Sequence, residues 1–585
     1  MRNQFSLYCL AFVFLFSQPS TDSFAQQDNA LPDLAPREVE ILGRLEIAFP
    51  SLKRQPLVGF NPPPRIPEIP RSRVPFVAAY KQESADLPPS PLKRPIPPPV
   101  AGLNMPPPVR GEIEAGAGRY LTRIFRANIG LPVGDQYRFS GKLDYRGSNG
   151  DAPFHGNPDL KSPFDALEAS AGMSAMSASL IMGFTVDGFL DDYSLFGTTS
   201  PVNSIFVTDP DRNGHGVGGS VWLKSRASSA IPLDLRLRYG SNHFETKATL
   251  AASVPTLSRL ERRLDFDGKI QAHTSAGSIR ADAHLSTAGL DASGALGSTV
   301  QDYNTAAGFK LTHRSNYDLR FGLRFLGFSA EGQTPAGGNR SEHYISPEVR
   351  LDIYPIQGVN VYLQNNPSLV SHSLSKLYRD NPYLIDKPRI QPSVKTVDLE
   401  AGGQIFRGDV QLTGRVGYKR LPNYLFYEDA TRSGTGIYSR GQTATNYASA
   451  RILHAGGGIA VSFTKAIHAT FGFDVRNGRL PDEDVDIPYF ASVKADGLLS
   501  FSFAQKKGLF LMTGTLMGPR YRDRSRKASE KVDTYLDLDL EASYDFTPWI
   551  GTTFRLENLL GSTLEQWDHY PQMPAIFSGS LRVRW

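Results

Sequence analysis

Two sets of residues in this chain have types and spacings that could do chemistry. Asp482, Asp484 and Asp486, with Glu483 between the first two, place a carboxylate at every second position of a short stretch. Oxygen donors so spaced on a loop suit a hard cation such as calcium; the alternative is a solvated acidic loop tip. The second set is a series of alternating charges: Arg138 and Lys142, Arg236 and Arg238, Arg320 and Arg324, and Asp537, Asp539 and Glu541. Charges in such rows either pair with opposite charges on a neighbouring strand or line a polar path for solutes. Nothing resembles an enzyme's nucleophile set: there is no Gly-x-Ser-x-Gly elbow, no His-Glu-x-x-His and no phosphate-binding Walker loop. The only cysteine is Cys9, so a mature chain lacking the leader has no disulfide, thiolate metal site or cysteine nucleophile. The sequence therefore reads as a non-enzyme with no cofactor. Gly214-His215-Gly216 reads as a solvated loop end and Gly456-Gly457-Gly458 as part of a strand.

The alternating charges belong to segments of period two. Tyr137, Phe139, Leu143 and Tyr145 alternate with Arg138, Ser140, Lys142 and Asp144. Leu233, Leu235, Leu237 and Tyr239 alternate with Asp234, Arg236 and Arg238, and Leu319, Phe321 and Leu323 with Asp318, Arg320 and Arg324. The longest run, 532–546, sets Leu536, Leu538, Leu540 and Tyr544 against Asp537, Asp539, Glu541 and Asp545. Successive side chains of a strand point to opposite faces, so each segment has one apolar and one charged face. A soluble sheet and a transmembrane barrel both fit this pattern. Segments about ten residues long, tight turns alternating with long links, and a leader favour the barrel. Strands are expected to begin near 111, 122, 136, 164, 177, 214, 231, 262, 276, 304, 317, 343, 358, 394, 409, 446, 466, 488, 508, 533, 549 and 576. The fold class is all-β: a transmembrane antiparallel barrel of about 22 strands. An even number puts both barrel ends on the short-turn side, the periplasm. Links 366–393 and 420–445 are long enough to fold into the lumen, and 241–261 has room for an extra hairpin.

The flanks read differently. Arg2, the apolar core Leu7–Phe16 and Ser23-Phe24-Ala25 form a secretory signal, 1–25. Beyond it no apolar stretch reaches the ~18–20 residues of a membrane helix. Residues 26–110 hold 20 of the 43 prolines and are locally basic. Proline fixes φ and removes donors, so this segment should be disordered, extended chain with no folded plug. It is either a solvated spacer, a docking tail for a periplasmic partner, or a stopper for the lumen. The barrel occupies 111–585. A net charge of +5 and a mean hydropathy of −0.29 suit a barrel and do not suggest nucleic acid.

Two stretches resemble a known family. Arg555-Leu556-Glu557-Asn558-Leu559-Leu560-Gly561, then Trp567, Tyr570-Pro571, Pro574 and an alternating strand ending at Trp585, resemble the C-terminal end of TonB-dependent receptor barrels. Gly111–Thr122 resembles the first barrel strand of a plugless subgroup that carries a proline-rich N-terminal stretch. The resemblance implies that Phe577 and Trp585, on the lipid face of the last strand, are a signal to the barrel-insertion machinery. It also implies that Glu38, Val39 and Ile41 lie in a segment similar to the box offered to TonB. The expected setting is the outer membrane, with lipid and lipopolysaccharide around the barrel and a periplasmic or TonB-type partner on 26–110. The expected function is receptor- or transporter-like handling of solutes at the cell surface, with the lumen closed by the tail, by loops or by a partner. A passive porin and a non-transport anchor that docks periplasmic proteins are the alternatives.

Overall fold

The computed structural model describes residues 110–585 except 151–161, 198–209, 227–230, 248–256, 275–276, 293–294, 314–315, 335–336, 431–440, 528–529 and 563. The leader, the rest of the proline-rich segment, and Glu38, Val39 and Ile41 lie outside the described residues.

Twenty-two strands form one closed antiparallel barrel. The first eleven are β1 (Gly111–Gly118), β2 (Thr122–Val133), β3 (Tyr137–Ser148), β4 (Phe164–Met176), β5 (Leu180–Ser194), β6 (Asp211–Ser225), β7 (Leu233–Lys247), β8 (Leu257–Thr274), β9 (Gly277–Ala292), β10 (Ala295–His313) and β11 (Tyr317–Ala330). The rest are β12 (Arg340–Ile353), β13 (Val359–Asn365), β14 (Val397–Arg407), β15 (Val410–Asp429), β16 (Thr443–Ser462), β17 (Ile467–Leu480), β18 (Val493–Phe503), β19 (Gly508–Met517), β20 (Tyr535–Asp545), β21 (Ile550–Glu557) and β22 (Ile576–Arg584). Each pairs with its sequence neighbours, and β1 closes the ring on β22, from Glu112 opposite Arg584 to Gly118 opposite Ser578.

Period two sorts the side chains. Phe184, Val217, Leu237, Phe321, Leu323, Val416, Phe471 and Leu581 are exposed on the outer surface, an apolar belt of the kind that faces lipid. The intervening positions face inward. Tight turns close one end: in Arg407-Gly408-Asp409-Val410 only the first central residue has positive φ (59°), which is why glycine stands there. Long links gather at the other end.

Three expected links are shorter than the sequence suggested. Residues 288–303 are mostly β9 and β10, which pair until Ala292 meets Ala295. Much of 420–445 belongs to β15 and β16, and much of 241–261 to β7 and β8. Above the apolar belt neither face must be greasy, so alternation fades while hydrogen bonding continues.

Ion pairs cross the seam on the inner wall. Glu114 is 5% exposed; its Oε1 accepts from Arg555 Nη1 (2.6 Å), and Arg126 lies 3.6 Å from its Oε2. Arg584 reaches Glu112 at 2.6 Å and Asp545 at 3.0 Å, and Arg582 reaches Asp545 at 2.6 Å. Removing one partner of a buried pair strands the other's charge. Glu114→Ala should therefore destabilise the barrel by roughly 3–5 kcal/mol. Arg123→Ala breaks only an exposed pair with Asp165 (2.9 Å) and should change stability by under about 1 kcal/mol. The midpoint of denaturant unfolding in micelles measures both.

Candidate functional site

Between β13 and β14 the chain turns into the barrel. Ser368–Val370 pairs with Ser393–Lys395 as a short ladder, a stalk for the loop between them. Val394 also pairs with Asn423 of β15, where the β15–β16 register shifts between Leu421 and Tyr424. This bulge frees Asn423, whose Nδ2 donates to the Pro392 carbonyl (2.7 Å), while the Leu425 N–H donates to Ser393 Oγ (3.1 Å). Helix α1 (Leu374–Asp380) sits on the stalk, capped by Ser373, whose Oγ accepts from the Lys376 N–H. Seven residues are too few for a stable isolated helix, so α1 depends on what it packs against.

That packing is apolar. Leu374, Leu377 and Tyr378 lie on one face of α1 and, with Leu384, Ile390 and Val394, are buried against Phe244, Leu290, Val300, Leu326 and Phe328 of the inner wall. The wall is prepared for them. Along β11 the inward positions run Arg320, Gly322, Arg324, Leu326, Phe328, Ala330, and along β9 they run Arg280, Asp282, His284, Ser286, Ala288, Leu290. Each series is charged near the short turns and apolar near the long links. A fully buried leucine contributes about 1.5–3 kcal/mol, so the loop is firmly seated.

Polar groups fix its orientation. Arg212 of β6 is fully buried and donates to Asp386 Oδ1 (2.9 Å), the Pro382 carbonyl (2.8 Å) and Thr246 Oγ1 (3.0 Å); its guanidinium lies 4.6 Å from the Tyr378 ring centre. Glu261 of β8, also fully buried, accepts from the Leu374 N–H and Asn242 Nδ2, both at 3.0 Å. Arg263 donates to the His372 carbonyl (2.9 Å), and Arg379 reaches Glu168 on β4 (2.8 Å). Burial pushes the Tyr378 phenol up, which keeps it protonated to donate to the Ile385 and Asp386 carbonyls. Toward the long-link end, Tyr383 stacks on Tyr570, Phe196 packs edge-on against Tyr570, and Tyr427 and Tyr489 pack on Trp567. Links from both sides of the seam thus meet in one aromatic cluster.

Under the stalk lies a cavity of about 760 Å³. Leu369, Val370 and Ser371 roof it, and charged residues of β7 to β12 wall it. Among its features is a relay that the sequence did not reveal. Asp267 Oδ1 meets His284 Nδ1 (2.8 Å), His284 Nε2 meets Ser371 Oγ (3.1 Å), and Ser371 Oγ donates to Asp302 Oδ1 (2.6 Å). The order matches a hydrolase relay, but the Ser371 proton goes to Asp302 and not to the imidazole. As arranged, the four groups latch the loop to β8, β9 and β10.

Of the residues the sequence singled out, Arg236, Arg238, Arg320 and Arg324 line this cavity. Lys142 lines a separate one of about 400 Å³, and Arg138 shares its face of β3. Asp537, Asp539 and Glu541 lie on β20, away from the cavity lining; Tyr535 OH donates to Asp537 (3.0 Å), the Asn558 N–H to Asp539 (3.0 Å), and Arg555 to Glu541 (2.9 Å). Asp484 and Asp486 are drawn to Arg479 (3.3 and 3.4 Å), Asp486 also to Arg526, and Glu483 to Arg524. Among the described residues no three acidic, histidine or cysteine side chains gather as metal ligands would. Phe577 and Trp585 are 56% and 49% exposed on the outer face. His215, expected as a lone solvated residue, lies within β6 beside His243, their ring centres 4.9 Å apart.

No family model and no curated protein matches the chain in sequence. In fold it is similar to solved barrels. The FrpB iron transporter of Neisseria meningitidis aligns with a TM-score of 0.63 at 10% identity, covering 81% of this chain and 82% of that one. The siderophore receptor PiuA of Acinetobacter baumannii aligns at 0.61 and 11%, covering 81% of each. The copper transporter OprC aligns at 0.60 and 11%, covering 81% of this chain and 80% of that one.

His372 supplies a pH test of the docked loop. Burial, with Lys376 and Arg263 nearby, pushes its pKa down to about 3. The undocked imidazole titrates near 6.5, so below that pH only the undocked form takes up the proton. Docking stability is complete above pH ~6.5 and declines on acidification, by up to about tenfold in the equilibrium per unit. Amide exchange of α1, corrected for intrinsic rate, should accelerate between pH 7 and 5, and His372→Asn should remove most of that dependence.

Proposed function

We propose that this chain is an outer-membrane transport receptor whose lumen is shut on the outer side by its own loop, 366–396. The observation that carries this reading is the seating of α1 on inner-wall positions that turn apolar where the loop meets them. A lumen meant to stay open would keep those positions polar, as large water-filled barrels do. The solved barrels it is similar to are named as iron, siderophore and copper proteins, which supports handling of solutes at the cell surface. The sequence resemblance at both barrel ends to TonB-dependent receptors agrees. In this reading 26–110 extends from the periplasmic end, with Glu38, Val39 and Ile41 offered to a TonB-type partner. Phe577 and Trp585 serve the insertion machinery, and lipopolysaccharide surrounds the long links. The loop takes the part of the stopper, and the proline-rich segment does not.

Planar-bilayer conductance tests the proposal. The intact protein should be closed. Replacing 371–392 by a short Gly-Ser linker should open steady, large channels, and deleting 26–110 should leave the protein closed. Steady conductance by the intact protein would favour a passive porin. A loop-deleted barrel that stays shut would favour an anchor, and opening on deletion of 26–110 would make the tail the stopper.

A further inference from the structure

The charges around the cavity beneath the loop do not balance. Seven arginines and one lysine line it against four carboxylates, Asp265, Asp267, Asp282 and Glu348. Those carboxylates are already engaged. Asp265 holds Arg263 (2.7 Å), and Asp267 is hydrogen-bonded to His284 Nδ1 (2.8 Å). Asp282 and Glu348 are shared between Arg280 (3.2 and 2.6 Å) and Arg324 (3.1 and 2.7 Å). Arg238 and Arg350 turn away to Asp187 and Asp352, both at 2.7 Å.

Three cations, Arg236, Lys269 and Arg320, have no carboxylate within 4.0 Å among the described residues, although Asp267 stands opposite Arg236, and Asp234 and Asp282 opposite Lys269, on the neighbouring strands. Arg236 donates only to Ser220 Oγ, at 3.3 Å. Arg320 stands directly opposite Lys310 on one side and Arg350 on the other, each of which holds a carboxylate of its own, Asp318 (3.2 Å) and Asp352 (2.7 Å). Its Nε is buried with no hydrogen-bond partner. Like charges directly opposite on adjacent strands destabilise a sheet, and a buried donor left unmade adds to the penalty. An anion in the cavity would relieve both. Arginine's planar fork suits the paired oxygens of a carboxylate or phosphate.

We infer that Arg320, Arg236 and Lys269, flanked by Arg280 and Arg350, form a binding site for a compact multivalent oxyanion, a polycarboxylate or phosphate, in the lumen beneath the loop. The site rests on the proposed function in that it places an anionic solute on the transport path, and it is tested separately from it. Arginines supply fixed charge at any accessible pH, so binding should weaken as ionic strength rises.

The full chain in detergent at low salt is titrated calorimetrically with citrate and, in parallel, with inorganic phosphate. Saturable binding of at least one is expected, and the better ligand identifies the oxyanion class. Arg320→Gln and Arg236→Gln should each weaken it about tenfold or more. Arg123→Gln, in an exposed pair elsewhere, should leave it unchanged. Heat-modifiable migration on gels checks that each variant is folded. A second readout needs no ligand: the loop-deleted channel should prefer anions, with a reversal potential that shifts toward cations in Arg236→Gln/Arg320→Gln. Absence of saturable binding by either anion, or binding unaffected by both substitutions, would overturn the site. If loop deletion opens the barrel but neither anion binds, the site falls and the transport reading stands. If an anion binds through these arginines but the barrel never opens, the site stands and the transport reading falls.

Discussion

Everything in this fold follows from the need to pair every backbone N–H and C=O where lipid offers no partner. Only a sheet without edges meets that need in strand form, and the join of β1 to β22 removes the last edge. Once the backbone is satisfied around the ring, the outer positions need only be apolar. The inner positions are free to vary, because no single hydrophobic core has to be filled. The inner wall therefore carries what the backbone does not need: ion pairs across the seam, a charged zone, and an apolar zone that accepts a loop.

The division of the wall explains why a short helix can sit stably in the lumen. Apolar wall positions supply affinity, and Arg212 on β6 and Glu261 on β8, both buried, supply orientation through their hydrogen bonds. A loop displaced by a few ångströms would strand both buried groups, so the docked arrangement is sharply defined. The bulge in β15 adds a third constraint by turning Asn423 to hold the stalk. Below the stalk the wall turns charged and is left to water and solutes.

Most of the barrel was legible in the sequence because period two is local information. The expected starts at 111, 122, 164, 317, 508 and 576 coincide with observed ones. The expected starts at 304 and 488 miss 295 and 493, because Ala295–Val300 lies above the apolar belt, where nothing enforces alternation. Arg236, Arg238, Arg320 and Arg324, picked out by the same periodicity, line the cavity beneath the stalk. The length of 366–393 showed that it could fold inward, but its contacts were not legible, since they join residues far apart: Arg212 and Asp386 are separated by 174 positions, and Glu168 and Arg379 by 211. One signal was present and unread. On β9 and β11 the inward row changes from charged to apolar, which announces a greasy visitor from inside. The pairing of the acidic stretch at 482–486 was hidden for the same reason, because the arginines that engage it include Arg524 and Arg526, some forty residues on.

The join between the first and last strands of the barrel also bears on how the molecule is made. Arg584 and Glu112, which meet across it, are separated by 472 positions, and the main chain of Gly111 bonds that of Trp585. A side chain at Gly111 would strike the Trp585 indole as it now lies, so the indole packs directly over the glycine. The ring can close only once the last strand of the barrel is available to the first. Until then two long strand edges stand open, the situation that invites aggregation. Joining β1 to β22 pairs the strands of the barrel that lie furthest apart in sequence, the kind of contact that is slowest to form.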